Sequence, residues 1–204
     1  MSFLSAPLAV SGVAELCPQM ILMVSGVLLR NRPDAKREAA PEELFQKQVH
    51  RRDLQALAII GAGEYGEVYL ALQAMAARTP DGTDVTVTVP RAVKMLKGAA
   101  TEAIKQEYIR EAITMLRVGE DHDNVVRMVG VAVQQAPWLV VLEFVQFGDL
   151  RAVLQAYTEN SEQLTTGEMI RTMRQLASAC SFIVSKRIVH MDLAARNVLL
   201  VSGI

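Results

Sequence analysis

IIGAGEYGEVYLALQ, residues 59–73, holds Gly61, Gly63 and Gly66 in the spacing G-x-G-x-x-G-x-V, closed by Val68. Two unrelated folds use glycines spaced in this way. In a dinucleotide site the third glycine opens a helix, whereas in a phosphate-covering hairpin it opens a strand. Here the β-forming EVYLALQ (67–73) follows and the apolar LQALAII (54–60) precedes, so GAGEYG reads as a hairpin turn. Without side chains at such a turn, backbone N–H groups approach phosphate oxygens closely.

After the PDG turn at 80–82, DVTVTV (84–89) alternates with period two and RAVKML (91–96) continues extended past Pro90, giving four short strands with no helix between them. The first helix is TEAIKQEYIREAITMLR (101–117), where Ile104, Tyr108, Glu111 and Met115 share a face. A glutamate on that apolar face needs a partner. Lys94, in Ala92-Val93-Lys94, is the matching charge: an ion pair from strand to helix would position the lysine on phosphate. Taken alone, a lysine in such a segment is usually a snorkelling surface residue.

NVVRMVGVAV (124–133) and PWLVVLEFV (137–145) read as two more strands, and DLRAVLQAY after Gly148 as a helix. MIRTMRQLASACSFIVSK (169–186) is a further helix, with residues 169, 170, 173, 176, 177, 180 and 184 predicted as its buried stripe. The polar segment that follows it carries His190, Asp192, Arg196 and Asn197. Asp192 suits the acceptance or orientation of a hydroxyl proton, Asn197 offers an amide oxygen to Mg²⁺, and Arg196 balances charge. A hydrogen-bonded loop with a capping aspartate is the alternative reading.

Of the 204 residues 51% are hydrophobic and 21% charged, enough for a buried core; 21 basic against 22 acidic residues give no argument for nucleic acid. Cys17 and Cys180 lie too far apart in sequence for a metal-ligand spacing and support neither a disulfide framework nor a zinc site. Residues 1–29 carry a single charge, Glu15; residues 20–29 are almost wholly apolar, and Arg30, Arg32, Lys36 and Arg37 follow. That order predicts either a single membrane span with everything after residue 30 in the cytoplasm, or a segment outside the fold in a cytoplasmic protein. A span of about 20 residues must take in Glu15, at a cost of roughly 2.5–3.5 kcal/mol. Residues 30–53 read as a polar linker, and the domain is expected from 54 to 204.

In the order glycine loop, A-V-K, helix glutamate, L-E-F-V strand end and H-x-D-L-A-A-R-N, the chain resembles the front part of a protein kinase domain, of the tyrosine kinase group. Arg196, four residues after Asp192, is similar to tyrosine kinases, whereas serine/threonine kinases carry a lysine where this chain has Ala194. The resemblance implies an α+β fold, with a complete small lobe of antiparallel sheet plus one helix and the start of a helical large lobe. It implies ATP and Mg²⁺ as cofactors and a protein substrate with an acceptor tyrosine. Gly61, Gly63 and Gly66 would cover the phosphates, Lys94 would contact them under the hold of Glu111, Asp192 would be the catalytic base and Asn197 a Mg²⁺ ligand. Val68, Ala92 and Leu199 would sandwich adenine, with backbone groups of Glu143 and Val145 as its partners and Leu142 behind it. Met115, Met128 and His190 match an internal hydrophobic spine, which gives His190 a structural role.

Two departures from the family pattern stand out. Met191 replaces the arginine of H-R-D and cannot pair with a phosphorylated activation loop, so little dependence on such phosphorylation is expected. The D-F-G, activation-segment and A-P-E motifs do not follow residue 204. The expectation is an incomplete domain, inactive by itself and poorly soluble as isolated residues 50–204. A non-catalytic module that holds a nucleotide or a partner, and a serine/threonine kinase, are the alternatives.

Overall fold

The computed structural model describes residues 19–22 and 41–201, apart from 64, 65, 99, 119–121, 162 and 163. The chain begins there with a four-residue strand, β1 (Gln19–Leu22), and a short helix, α1 (Pro41–Gln46). The glycine stretch is a hairpin turn, as its flanking residues predict: β2 (Leu54–Ala62) enters it and β3 (Gly66–Arg78) leaves it, paired antiparallel. β4 (Asp84–Leu96) runs unbroken through Pro90, so the chain has three long strands here where the sequence predicts four short ones. Pro90 pairs with Leu72 on β3, and the pairing of β4 with its other neighbour begins only at Arg91. The missing N–H therefore falls where that edge has no partner.

The helix α2 (Glu102–Val118), the strands β5 (Met128–Ala132) and β6 (Leu139–Glu143) and the helices α3 (Leu150–Glu159) and α4 (Thr166–Ser185) follow, then β7 (Val198–Val201). The large sheet is antiparallel in the order β2-β3-β4-β6-β5, and a second, two-stranded sheet pairs β1 with β7. This is the predicted α+β arrangement of one sheet with one helix against it, then a helical layer. Tyr108, Ala112 and Met115 of α2 pack on Val131, Val140 and Leu142, with Ala112 fully buried. A separate core joins Ala179 and Ile183 of α4 to Val198 and Leu200 of β7. Burying a side chain the size of Ile183 is favourable by about 1.5–3 kcal/mol.

Three details depart from expectation. The first is the buried face of α4. Met169, Ile170, Met173 and Val184 of the predicted stripe are exposed, while Ala179 and Ile183 are buried. The helix is apolar on more than one face, and the side that meets β1 and β7 is the one that buries. Its start is fixed by a capping box, Thr165 accepting from the Glu168 N–H and Glu168 from the Thr165 N–H.

The second is the start of the folded unit. Leu44 is 3% exposed in the α2 core, Val49 N–H donates to the Val131 carbonyl at 2.8 Å, and Val131 N–H donates to the Lys47 carbonyl at 2.9 Å. Residues 41–53, expected as linker, are thus packed on the edge of β5. The third lies in the apolar run 20–29: Gln19–Leu22 form a strand, and residues 23–29 lie outside the described residues. Among the described residues no helix is long and apolar enough to cross a membrane.

Candidate functional site

Strand alternation decides which way Lys94 points. Val93 packs with Ala71 and Val141 on one face of the sheet, whereas Ala92 and Leu96 belong to the α2 face. Lys94 shares that face by period two. Its cross-strand partner is Val68, and that of Ala92 is Leu70. On α2, Glu111 lies one turn beyond Tyr108, and its Oε2 accepts from Lys94 Nζ at 2.6 Å, the side chains 25% (Lys94) and 15% (Glu111) exposed. The pair predicted from two isolated charges is present.

Tyr108 completes this arrangement. Its hydroxyl donates to the carbonyl of Lys94 at 2.7 Å and to that of Trp138 at 3.3 Å, and Lys94 Nζ lies 5.8 Å from the ring centroid. Burial, with the Glu111 charge second, pushes the phenol pKa well above its usual value. The sequence places Tyr108 on the right face but gives no sign of the hydroxyl's role.

At the glycine turn, a Cβ on Gly66 would meet the Met95 carbonyl oxygen at 2.4 Å, so glycine is required there by the approach of β4. Gly63 N–H donates to Gly66 O at 2.9 Å, and Lys97 Nζ donates to Gly63 O at 3.0 Å. One turn amide is thus used within the turn. Nothing in the sequence marks Lys97 as a tie on the loop.

Ala92 and Leu199 pack against the same core, which also contains Leu142 and Val145. Glu143 N–H is committed to the Arg127 carbonyl, and its Oε1 accepts from Arg127 N–H at 2.7 Å, so this residue also anchors the segment before β5. Met115 and Met128 are buried in the same core. His190 is half-buried on its loop, where Nδ1 accepts from Asp192 N–H.

The loop between α4 and β7 gathers the second group of predicted residues. Asn197, 7% exposed, donates through Nδ2 to the backbone carbonyl of Asp192 at 2.7 Å and to Asp192 Oδ2 at 3.0 Å. Arg196 donates to Asp192 Oδ1 at 2.5 Å. Asn197's amide donation first, and Arg196's second, hold the Asp192 carboxyl below the usual carboxylate range. Met191 is 58% exposed.

Two acceptors around Nδ2 fix the orientation of the Asn197 amide, with Oδ1 as the atom that could meet a cation. That hard oxygen suits Mg²⁺, a cation that completes its shell with phosphate and water oxygens. Among the described residues no group of three or more His, Cys, Asp or Glu could hold a metal. A depression of about 340 Å³ lined by Arg151, Leu154, Gln155, Thr158, Glu159 and Ala195 opens on the α3 side of this loop, away from the Lys94–Glu111 pair.

Residues 54–203 match the family described as protein tyrosine and serine/threonine kinase. The chain is 30% identical over 160 residues to Ephrin type-B receptor 1-A of Xenopus laevis, covering 78% of this chain and 15% of that protein. It is similar to Ephrin type-B receptor 1 of Gallus gallus at the same identity and coverage. The chain thus spans about 15% of the length of the curated relatives it matches.

Proposed function

The chain belongs to the protein tyrosine and serine/threonine kinase family, and from that premise we propose that it binds MgATP and directs the γ-phosphate to a protein tyrosine. The observation that carries the reading is the 2.6 Å contact of Lys94 with Glu111, because a lysine so held presents a fixed positive charge to phosphate oxygens.

In this reading the β2–β3 turn lies over the phosphates, and Val68, Ala92 and Leu199 flank the base. The carbonyl of Glu143 and the backbone groups of Val145 would hydrogen-bond its edge. Mg²⁺, when bound, neutralises charge on the transferring phosphoryl group. Asn197 would hold it through Oδ1. Asp192 is ionised at neutral pH and would orient the acceptor hydroxyl toward phosphorus. As the oxygen–phosphorus bond forms and the bond to the β-phosphate oxygen breaks, the hydroxyl proton passes to the carboxylate. A carboxylate held below its usual range is a weak proton acceptor, so its main contribution is orientation.

Tyrosine selection is supported by the segment Asp192-Leu193-Ala194-Ala195-Arg196-Asn197 and by the names of the relatives. Calorimetric titration of the chain with MgATP tests the first step, with Lys94→Met expected to weaken binding at least tenfold. Assays on tyrosine and serine acceptor peptides test the second. Phosphate on serine would replace the tyrosine reading, and MgATP binding without transfer to either would favour a non-catalytic nucleotide-binding module.

The names of the relatives also raise a receptor-like placement, with the kinase domain on the cytoplasmic side of a membrane. The strand favours a placement off the membrane through this segment, because Met20, Ile21 and Leu22 cannot lie in a bilayer and in protein cores at once. Recovery in the carbonate-soluble fraction is expected, and release by detergent alone would restore the spanning reading.

A further inference from the structure

The strand β1 lies more than 100 residues from its partners in sequence, and both of its edges are hydrogen-bonded. On one side it pairs with β7 in the register Gln19↔Val201, Met20↔Leu200, Ile21↔Leu199 and Leu22↔Val198. On the other, Leu22 N–H donates to Asn124 O at 2.8 Å and Val126 N–H donates to Leu22 O at 3.0 Å. Two amide side chains read its backbone. Met20 N–H donates to Gln175 Oε1 at 2.6 Å, and Asn124 Nδ2 donates to the Met20 carbonyl at 2.7 Å and to Gln175 Oε1 at 3.2 Å.

Its side chains alternate between two cores. Met20 and Leu22 join the core of α4, Ile183 and Val198, whereas Ile21 joins the core of α2 and the large sheet. All three are at most 7% exposed. The strand is therefore a tie between the sheet and the helical layer. It also supports β7 directly, and β7 begins at the residue after Asn197.

We infer that residues 19–22 are a positioning strand for the catalytic loop. They fill a groove between β7 and residues 124–126 that accepts an extended apolar segment, and Asp192 and Asn197 keep their mutual geometry only while it is filled. The inference rests on the kinase reading for the word catalytic alone; seating of the strand and order in the loop are measurable without it.

The test uses the full chain with Cys17→Ser and Cys180→Ser as background. Met20→Cys with Leu200→Cys, an in-register pair, should form a disulfide on mild oxidation, and Met20→Cys with Val198→Cys should not. Asn124→Ala, whose lost side-chain bonds among the described residues reach Met20 and Gln175, should speed amide exchange across residues 197–201 at least tenfold while the β3–β4 hairpin is unchanged. Side-chain amide proton shifts of Asn197 in the same variant should move toward those of a free amide, as its donation to Asp192 loosens. No in-register disulfide, or unchanged exchange at 197–201 together with unmoved Asn197 side-chain amide shifts, would overturn the proposal. If the parent chain fails to bind MgATP, the kinase reading falls while the crosslinking and exchange results still decide the role of β1.

Discussion

Lys94–Glu111 and Asp192–Asn197 are held in opposite ways. The first pair joins a strand to a helix across a packed core, with Tyr108, Ala112 and Met115 fixing the distance between the elements. The second lies within six consecutive residues of loop, joined by hydrogen bonds among themselves, with Asp192's side chain 46% exposed. A pair positioned by packing should fail when the scaffold is overfilled. A loop positioned by its own donors should respond to protonation and to loss of a single amide.

The largest effect is expected from Gly66→Ala. The new Cβ would sit 2.4 Å from a backbone oxygen of β4, an atom that cannot rotate away, so β3 and β4 must separate. A cost of about 3 kcal/mol follows from overpacking of this kind. In a chain of this length that lowers Tm by about 6–12 °C. A thermal melt within 2 °C of the parent would show that the turn is not held by the sheet, and the contrast would lose its first half.

Glu111→Gln comes next. Removing one charge from a fully buried pair costs about 3–5 kcal/mol, but this pair retains solvent contact, which reduces the expected loss to about 2 kcal/mol. MgATP affinity should fall with it. Tyr108→Phe is smaller, about 1 kcal/mol for one hydroxyl, since the ring and its contact with Lys94 remain. Urea denaturation of the two variants sharpens the comparison. A Tyr108→Phe loss equal to that of Glu111→Gln would mean that the tie to the β4 backbone, rather than the ion pair, sets the position of α2.

The sequence exposes these two regions unequally. Lys94, Glu111 and the glycines stand in elements with a clear period, so their faces follow from alternation in β4 and spacing in α2. Asp192, Arg196 and Asn197 are legible as a polar cluster. What holds that cluster is not, because three of the four residues of β1 lie inside a longer apolar run, and such a run reads equally as strand or helix. Its readers, Asn124 and Gln175, are ordinary amides in sequence. The packed edge formed by Leu44 and Val49 was hidden for a related reason: one buried leucine in a charged stretch has no period. The buried side of α4 depends on where β1 comes to lie, which no pattern within the helix encodes.

The smallest expected effect bears on the second half of the contrast. Asp192's carboxyl lies below its ordinary range, so its folded pKa is lower than its unfolded one. The stabilisation is then fully present above the ordinary carboxylate pKa and is lost as pH falls through the folded value. The largest single cause is the hydrogen bond from the neutral amide of Asn197, and Arg196 acts both through its hydrogen bond and through its charge. For a loop organised by the amide, Asn197→Ala should raise the midpoint in a carbon-13 titration more than Arg196→Ala. Salt separates the causes further, because a Debye length of about 3 Å at 1 M screens the Arg196 charge and leaves the amide hydrogen bond in place. A midpoint in the parent chain that hardly moves with salt fits a loop organised by Asn197. If Arg196→Ala gave the larger shift, or 1 M salt abolished it, charge pairing would hold both regions of the site, and the difference between them would reduce to burial.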